Sequence, residues 1–160
     1  MAEQIYILEN CKSFEPKHIF ECGQCFRWNK EQDESYTGVF NNNVLNVKKI
    51  NEYKIKFEGI CEGNIKDVVE EYFDLDTNYE EIKKKLSLID KYMLQGIEYG
   101  KGIRILKQDL WECIISFIIS ANNNIPRIKG IIERISKAYG KQIKFSRKRL
   151  LYFSYSSGVI

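Results

Sequence analysis

The alternation of hydrophobic and polar residues predicts β-strands in the first sixty residues of the chain. Some segments alternate apolar with polar side chains, and others concentrate aromatic and β-branched residues. These segments are 4–9, 26–28, 36–40, 44–47 and 53–57. Short connections, such as the three asparagines at 41–43, favour an antiparallel meander with one face covered by other elements.

Amphipathic helices are predicted for most of the chain that follows. Segments 88–99 and 126–140 have helical spacing, the second beginning with a proline and ending at a glycine. The apolar segment 110–120 is expected to be a helix buried on nearly all sides. Strands followed by helices predict an α+β fold. Residues that can cap further helix N-termini are Asn64, Asn78 and Asp109.

Charge is distributed unevenly along the 160 residues, whose net charge is +3. Residues 1–101 carry −5, residues 102–143 carry +4 and residues 144–160 carry another +4. A basic carboxy-terminal half is compatible with a partner that bears phosphates.

The composition excludes several classes of protein. Two prolines and 13% aromatic residues exclude collagen-like and disordered chains. The longest nearly apolar run, 113–121, is shorter than the roughly 18 residues of a membrane span. The first ten residues lack the features of a secretory signal, so the five cysteines are expected to be reduced thiols in the cytoplasm.

Cys22 and Cys25 have the spacing of half a zinc site or of a redox pair. Zinc needs two further ligands, and the sequence offers only isolated cysteines and the single histidine, His18. A glycine-containing turn that leads into a strand is the simpler interpretation, and we expect neither a metal nor a cofactor. The single histidine also excludes most catalytic triads.

Three consecutive asparagines, Asn122, Asn123 and Asn124, precede the helix that carries Arg127. Their carboxamides offer paired donors and acceptors, and the N-terminus of the next helix attracts anions. Arg127 can present a bidentate guanidinium to a base edge or a phosphate. An asparagine-rich helix cap explains these residues equally well.

Two short motifs, far apart in the chain, carry a family resemblance. The first is Gly-Gln-Cys-Phe-Arg-Trp at 23–28, followed by Tyr-Thr-Gly-Val at 36–39. The second is Ser-Ala-Asn-Asn-Asn-Ile-Pro-Arg at 120–127. Together they resemble the 8-oxoguanine DNA glycosylase/AP lyase family, and the resemblance covers about residues 3–143.

The resemblance implies two domains. Residues 1–101 are expected to form an α+β domain like the TATA-binding protein, with an antiparallel sheet and helices. Residues 102–143 are expected to be the first helices of an all-α helix-hairpin-helix domain that is incomplete. Residues 144–160 do not match the family's continuation, and we interpret them as an unmatched basic and aromatic tail from a shifted reading frame near residue 144.

The resemblance also implies a role in base-excision repair, with damaged double-stranded DNA as the partner and no obligate protein partner or membrane. The family extrudes the damaged guanine from the duplex, where its target bond is otherwise unreachable. Gly23 would accept, through its carbonyl, the N7–H that 8-oxoguanine has and guanine lacks. Asn122 would fill the vacated stack and, with Arg127, bind the unpaired cytosine, while Asn123 and Asn124 support the turn.

The family's catalytic groups are not found in this sequence. Its nucleophilic lysine, which forms a Schiff base with the sugar, and its assisting aspartate lie beyond a Leu-Pro-Gly-Val-Gly-type hairpin that these 160 residues lack. We therefore name no catalytic residue and expect a truncated chain that is inactive alone. Two alternatives remain: a non-catalytic DNA-binding module with steep salt dependence, and a protein-interaction domain that binds no DNA.

Overall fold

A five-stranded antiparallel sheet dominates the computed structural model, which describes residues 2–145 and 150–154. The strands are β1 (Gln4–Glu9), β2 (Trp28–Lys30), β3 (Tyr36–Phe40), β4 (Asn43–Asn51) and β5 (Lys54–Ile60). Strands β2 to β5 form a meander, and β1 pairs with β5 to give the order β1-β5-β4-β3-β2. The predicted antiparallel sheet with helices is confirmed, although β4 and β5 extend beyond the predicted segments.

The described residues also form six helices and a second, two-stranded sheet. The helices are α1 (Pro16–Phe20), α2 (Ile65–Tyr72), α3 (Tyr79–Leu86), α4 (Lys91–Tyr99), α5 (Leu110–Ser120) and α6 (Ile125–Tyr139). The predicted caps are confirmed, since the side chains of Asn64, Asn78 and Asp109 accept backbone hydrogen bonds at the starts of α2, α3 and α5. No helix in the described part of the chain is long and apolar enough to cross a membrane.

The sequence pattern does not predict the hairpin of β6 (Lys141–Phe145) and β7 (Leu150–Ser154). Its backbone lies against α6 and β3. Phe145 packs on Val39 and Val44, on the outer face of the main sheet. All five residues of β3 are buried, where a strand with one wet face would alternate, and this contact covers Val39 on the outer face. The rest of the expected tail, 146–149 and 155–160, lies outside the described residues.

The main core is a stack of aromatic rings between the inner face of the sheet and the helices. Trp28 is 1% exposed, and its ring stacks on Phe20 with centroids 4.1 Å apart. The indole N–H donates to the Tyr72 hydroxyl at 3.1 Å, so the one polar atom of the ring is satisfied. Tyr72 in turn stacks on Phe40 at 3.8 Å. Strand β2 and helix α2 are thereby fixed to each other.

The two long carboxy-terminal helices differ in their burial. Helix α6 buries Ile128 and Ile132, at 3% and 2% exposure. Helix α5 contains no buried residue, and Phe117 is 78% exposed. The prediction that segment 110–120 is buried on nearly all sides is therefore wrong for the part of the chain that the structure describes. Helix α5 packs on α6 along one side, and no described element covers its other side.

An extended segment, 101–109, joins the two helical regions without forming a helix or strand. Its buried backbone still needs hydrogen-bond partners, and other parts of the fold supply them. Gly102 accepts from the Glu15 amide at 3.0 Å, and the Lys107 amide donates to the Tyr72 carbonyl at 2.9 Å. Leu106 is 6% exposed and belongs to the main core. These contacts hold the segment against the main core.

Gln24 fixes this segment through its side chain. Its amide nitrogen donates to the Ile19 and Arg104 carbonyls, both at 2.9 Å. Its amide oxygen accepts from the Leu106 backbone at 3.1 Å. The Gln24 carbonyl accepts from the Gln108 side chain at 2.7 Å. One residue of the first motif therefore binds both the turn after α1 and the connecting segment.

We predict that Gly38→Ala destabilises the protein by about 3 kcal/mol. Gly38 pairs with Trp28 across β2 and β3, and an added Cβ would lie inside the contact distance of the indole ring. The ring cannot move aside because Phe20 stacks on it. Gly96→Ala is the control, since its Cβ would meet nothing within 4 Å in α4, and it should stabilise the protein by about 0.5–1 kcal/mol. Equal urea midpoints for the two variants would contradict this packing.

We predict that Gln24→Leu destabilises the protein by about 2–4 kcal/mol, because three hydrogen bonds of about 1 kcal/mol are lost and buried groups are left unpaired. The Leu106 amide, which loses its acceptor, should exchange its hydrogen faster. The matched control is Gln95→Leu at an exposed position of α4, which should change stability by less than about 0.5 kcal/mol. Unchanged exchange at Leu106 in Gln24→Leu would show that this hydrogen bond contributes nothing.

Candidate functional site

Gly23 lies in the turn between α1 and β2, where the backbone is exposed. Its φ of +87° is in the left-handed region that favours glycine, and a Cβ at this position would meet no atom within 4 Å. The neighbouring residue, Gln24, is held by the hydrogen bonds described above. The Gly23 peptide is therefore presented at the surface from a fixed position.

The three asparagines form the turn between α5 and α6. Asn122 is exposed and has a φ of +51°, a conformation that asparagine tolerates better than most residues. Asn123 donates from its side chain to the Ile119 carbonyl at 3.0 Å. Asn124 accepts from the Arg127 backbone at 3.1 Å and so caps α6. Within the described part of the chain, the Asn122 side chain makes no hydrogen bond, whereas the other two shape the turn.

Arg127 lies in the first turn of α6, next to this turn, and is exposed. No carboxylate among the described residues pairs with its guanidinium. The basic side chain, the Asn122 carboxamide and the start of α6 thus lie in one exposed region. The guanidinium and the carboxamide can donate hydrogen bonds to a base edge or a phosphate.

A buried ion pair connects the first motif to α5. Arg27 contacts the Glu112 carboxylate at 3.1 Å, and the two side chains are 9% and 13% exposed. Burial raises the pKa of Glu112, and the adjacent Arg27 guanidinium opposes that rise. Glu112 lies in the first turn of α5. The pair therefore fixes the start of the helix that leads into Asn122.

A second polar contact connects the first motif to α6. The Lys129 ammonium donates to the Trp28 carbonyl at 2.6 Å. The Lys129 side chain is partly buried, and burial lowers its pKa. Residues 24, 27 and 28 of one motif thus hold the connecting segment, α5 and α6 respectively. Neither the Glu112 nor the Lys129 contact is indicated by local sequence pattern, although each has one partner in the first motif.

The surroundings of Cys22 and Cys25 do not favour the zinc or redox interpretation of this pair. Cys22 is exposed, whereas Cys25 is 4% exposed within the main core. Burial raises the pKa of the Cys25 thiol, which opposes the thiolate that redox chemistry requires. No group of three or more potential ligands is found among the described histidine, cysteine, aspartate and glutamate residues. All five cysteines lie in the described part of the chain and are free thiols.

Curated relatives are similar to part of this chain. The N-glycosylase/DNA lyase OGG1 of Arabidopsis thaliana is 26% identical over 121 residues, which are 73% of this chain and 33% of the relative. The N-glycosylase/DNA lyase of Saccharomyces cerevisiae is 27% identical over 143 residues, 79% of this chain and 36% of that protein. The chain thus spans about a third of the length of these relatives.

Solved structures are similar over nearly all of the chain. The apo-form of 8-oxoguanine glycosylase/lyase from Clostridium acetobutylicum has a TM-score of 0.87 and 42% identity, covering 98% of this chain and 54% of that one. The same enzyme has been solved in complex with double-stranded DNA containing cytosine opposite 8-oxoG, with a TM-score of 0.87 and 41% identity to this chain. The model of the 8-oxoguanine DNA glycosylase, N-terminal domain, matches residues 6–114. This chain therefore belongs to the family of 8-oxoguanine DNA glycosylases/lyases.

Proposed function

We propose that this chain carries the elements that recognise 8-oxoguanine and the opposite cytosine in damaged double-stranded DNA. The observation that carries the proposal is the pair of contacts, Arg27–Glu112 and Lys129–Trp28, that holds the first motif against α5 and α6, the two helices that flank the asparagine turn. A recognition surface needs its parts fixed before the ligand arrives, because ordering them during binding costs affinity. The DNA complex of the Clostridium relative supports the choice of ligand.

Gly23 is proposed to recognise the damaged base. Position N7 of guanine is an acceptor, whereas 8-oxoguanine carries a hydrogen there, so a backbone carbonyl attracts the second base and repels the first. Gly23 has the exposed, left-handed backbone that allows an extruded base to approach closely. The preference for 8-oxoguanine over guanine then comes from a single hydrogen bond. That bond requires the Gly23 peptide to stay in place.

Asn122 and Arg127 are proposed to recognise the opposite strand. Cytosine without its partner exposes the O2 and N3 acceptors, which suit the donors of a guanidinium and a carboxamide. Both side chains are exposed, and Asn122 lies at the tip of the turn. Asn123 and Asn124 have the supporting role, since their side chains bond to the turn itself.

The proposal assigns no catalytic residue, cofactor or metal ion to this chain. It covers recognition alone, because the chain spans about half of the solved relatives and a third of the curated ones. Five free thiols are compatible with action in the cytoplasm, where the reducing environment keeps cysteines unpaired.

Replacing Arg127 by alanine should weaken binding to duplex with 8-oxoguanine opposite cytosine by roughly 5- to 100-fold, equivalent to about 1–3 kcal/mol. The loss should be smaller when adenine is opposite, because the cytosine acceptors are then absent. Fluorescence anisotropy at fixed salt, with three duplexes carrying 8-oxoG:C, 8-oxoG:A and G:C, measures this difference. Arg134→Ala is the matched control, since Arg134 is also an exposed arginine of α6.

Three results would contradict the proposal. Equal losses on all three duplexes for Arg127→Ala would assign the residue to phosphate contact and favour a non-specific DNA-binding module. An equal effect of Arg134→Ala would indicate general electrostatic attraction. The absence of binding by the parent chain to any duplex would favour a protein-interaction domain.

A further inference from the structure

We propose that Lys129 is a positioning residue for recognition of the damaged base pair. Through the Trp28 carbonyl, its ammonium makes recognition of the damaged base and recognition of the opposite cytosine depend on each other. The inference rests on the roles proposed above for Gly23 and Arg127 and goes beyond them, since Lys129 is assigned contact with neither base. Lys129 also lies outside both family motifs, so the resemblance gives it no role.

The contact of Lys129 joins α6 to the edge of the main sheet. Strand β2 is at the end of the strand order, so it has a strand neighbour, β3, on one side only. An edge strand presents backbone groups that no other strand pairs. The Lys129 ammonium donates to one carbonyl of this strand, that of Trp28, at 2.6 Å. Because the donor is charged, this hydrogen bond is stronger than a neutral one, and it fixes α6 at a definite place on β2.

The ammonium of Lys129 is turned inward instead of remaining in water. The side chain is partly buried, and no carboxylate among the described residues forms an ion pair with it. Burial lowers the pKa of Lys129, whereas the nearby Cys25 and Glu21 act in the opposite direction. A charged group that leaves water needs a hydrogen-bond partner. The Trp28 carbonyl is therefore what keeps the ammonium in this position.

Lys129 and Arg127 have different surroundings on the same helix. Residues two apart on a helix point in directions about 200° apart, so the two side chains do not face each other. Arg127 is exposed, whereas Lys129 reaches inward to β2. Ile128, between them, is 3% exposed, but its apolar contacts have no preferred direction, whereas a hydrogen bond has one. Lys129 thus fixes the rotation of α6 about its axis, and with it the direction in which Arg127 points.

The carbonyl that Lys129 binds lies at the base of the loop that carries Gly23. This loop runs from Phe20, the last residue of α1, to Trp28, the first residue of β2. The rings of these two residues stack with centroids 4.1 Å apart, which joins the two ends of the loop. Trp28 is 1% exposed, so its position in the core is fixed. Lys129 therefore attaches α6 to the closed base of the Gly23 loop.

This connection predicts cooperation between the two recognition contacts. A base bound at Gly23 restricts the loop, and a cytosine bound at Arg127 restricts the start of α6. When a rigid connection joins the two parts, ordering one of them lowers the cost of ordering the other. Without the Lys129 contact, each part has to be ordered separately, and the Arg127 contact then adds less to the affinity.

The test is a double-mutant cycle on the full chain, with binding to 8-oxoG:C and G:C duplexes measured by fluorescence anisotropy at fixed salt. Lys129→Met keeps the apolar stem and removes the ammonium. It should weaken binding to 8-oxoG:C by roughly tenfold and to G:C by less than about twofold. The loss caused by Arg127→Ala should be at least about fivefold smaller in the Lys129→Met background than in the parent.

Three further variants separate positioning from charge and from folding. Lys137→Met removes a charge from an exposed position of α6 and should change binding to either duplex by less than about twofold, additively with Arg127→Ala. Lys129→Arg keeps a charged donor and should restore binding to within about threefold of the parent. Lys129→Gln, which lacks the charge, repeats the cycle, and thermal melting checks that each variant is folded.

Additive losses for Lys129→Met and Arg127→Ala would overturn the inference, as would equal losses on both duplexes or no rescue by Lys129→Arg. In each of these cases the parent still prefers 8-oxoG:C and still loses affinity through Arg127→Ala, so the proposed function stands. A parent without that preference, or without the Arg127 loss, would instead overturn the proposed function and this inference with it.

Discussion

The structure depends on the need to satisfy the buried backbone of an extended segment. Residues 101–109 form neither a helix nor a strand, and residues elsewhere in the fold bind several of their backbone polar groups. The Gln24 side chain bonds to the Arg104 carbonyl and the Leu106 amide, and the Lys107 amide donates to the Tyr72 carbonyl. The Ile105 amide donates to the Tyr79 hydroxyl. An unpaired buried N–H or carbonyl would cost about as much as a lost hydrogen bond. These hydrogen bonds hold the path of the segment, which leads directly into α5.

The residues of the family motif at 23–28 hold three other parts of the fold in place. Gln24 holds the connecting segment, Arg27 holds α5 and Trp28 holds α6 through its carbonyl. The Trp28 ring, meanwhile, is fixed in the aromatic core against Phe20. The signature thus couples the core to both helices that flank the asparagine turn. Recognition of DNA, as proposed, relies on a surface that the aromatic core holds in place.

The described sheet faces and helices differ in how much of their apolar surface is buried. The main sheet is buried on its inner face by aromatic rings, and part of its outer face is covered by Phe145 of β6. Helix α6 buries its isoleucines, whereas α5 exposes a stripe that includes Phe117.

Local patterns in the sequence determined the sheet, the capped helices and the family. Strand alternation and the caps Asn64, Asn78 and Asp109 operate within a few residues, so a single sequence shows them. Only the tertiary structure decided which distant groups meet. The contacts of Gln24 with Leu106, Arg27 with Glu112 and Trp28 with Lys129 join residues 82, 85 and 101 positions apart. Hydrophobic periodicity shows that 110–120 forms a helix, but the burial of each side depends on what packs there.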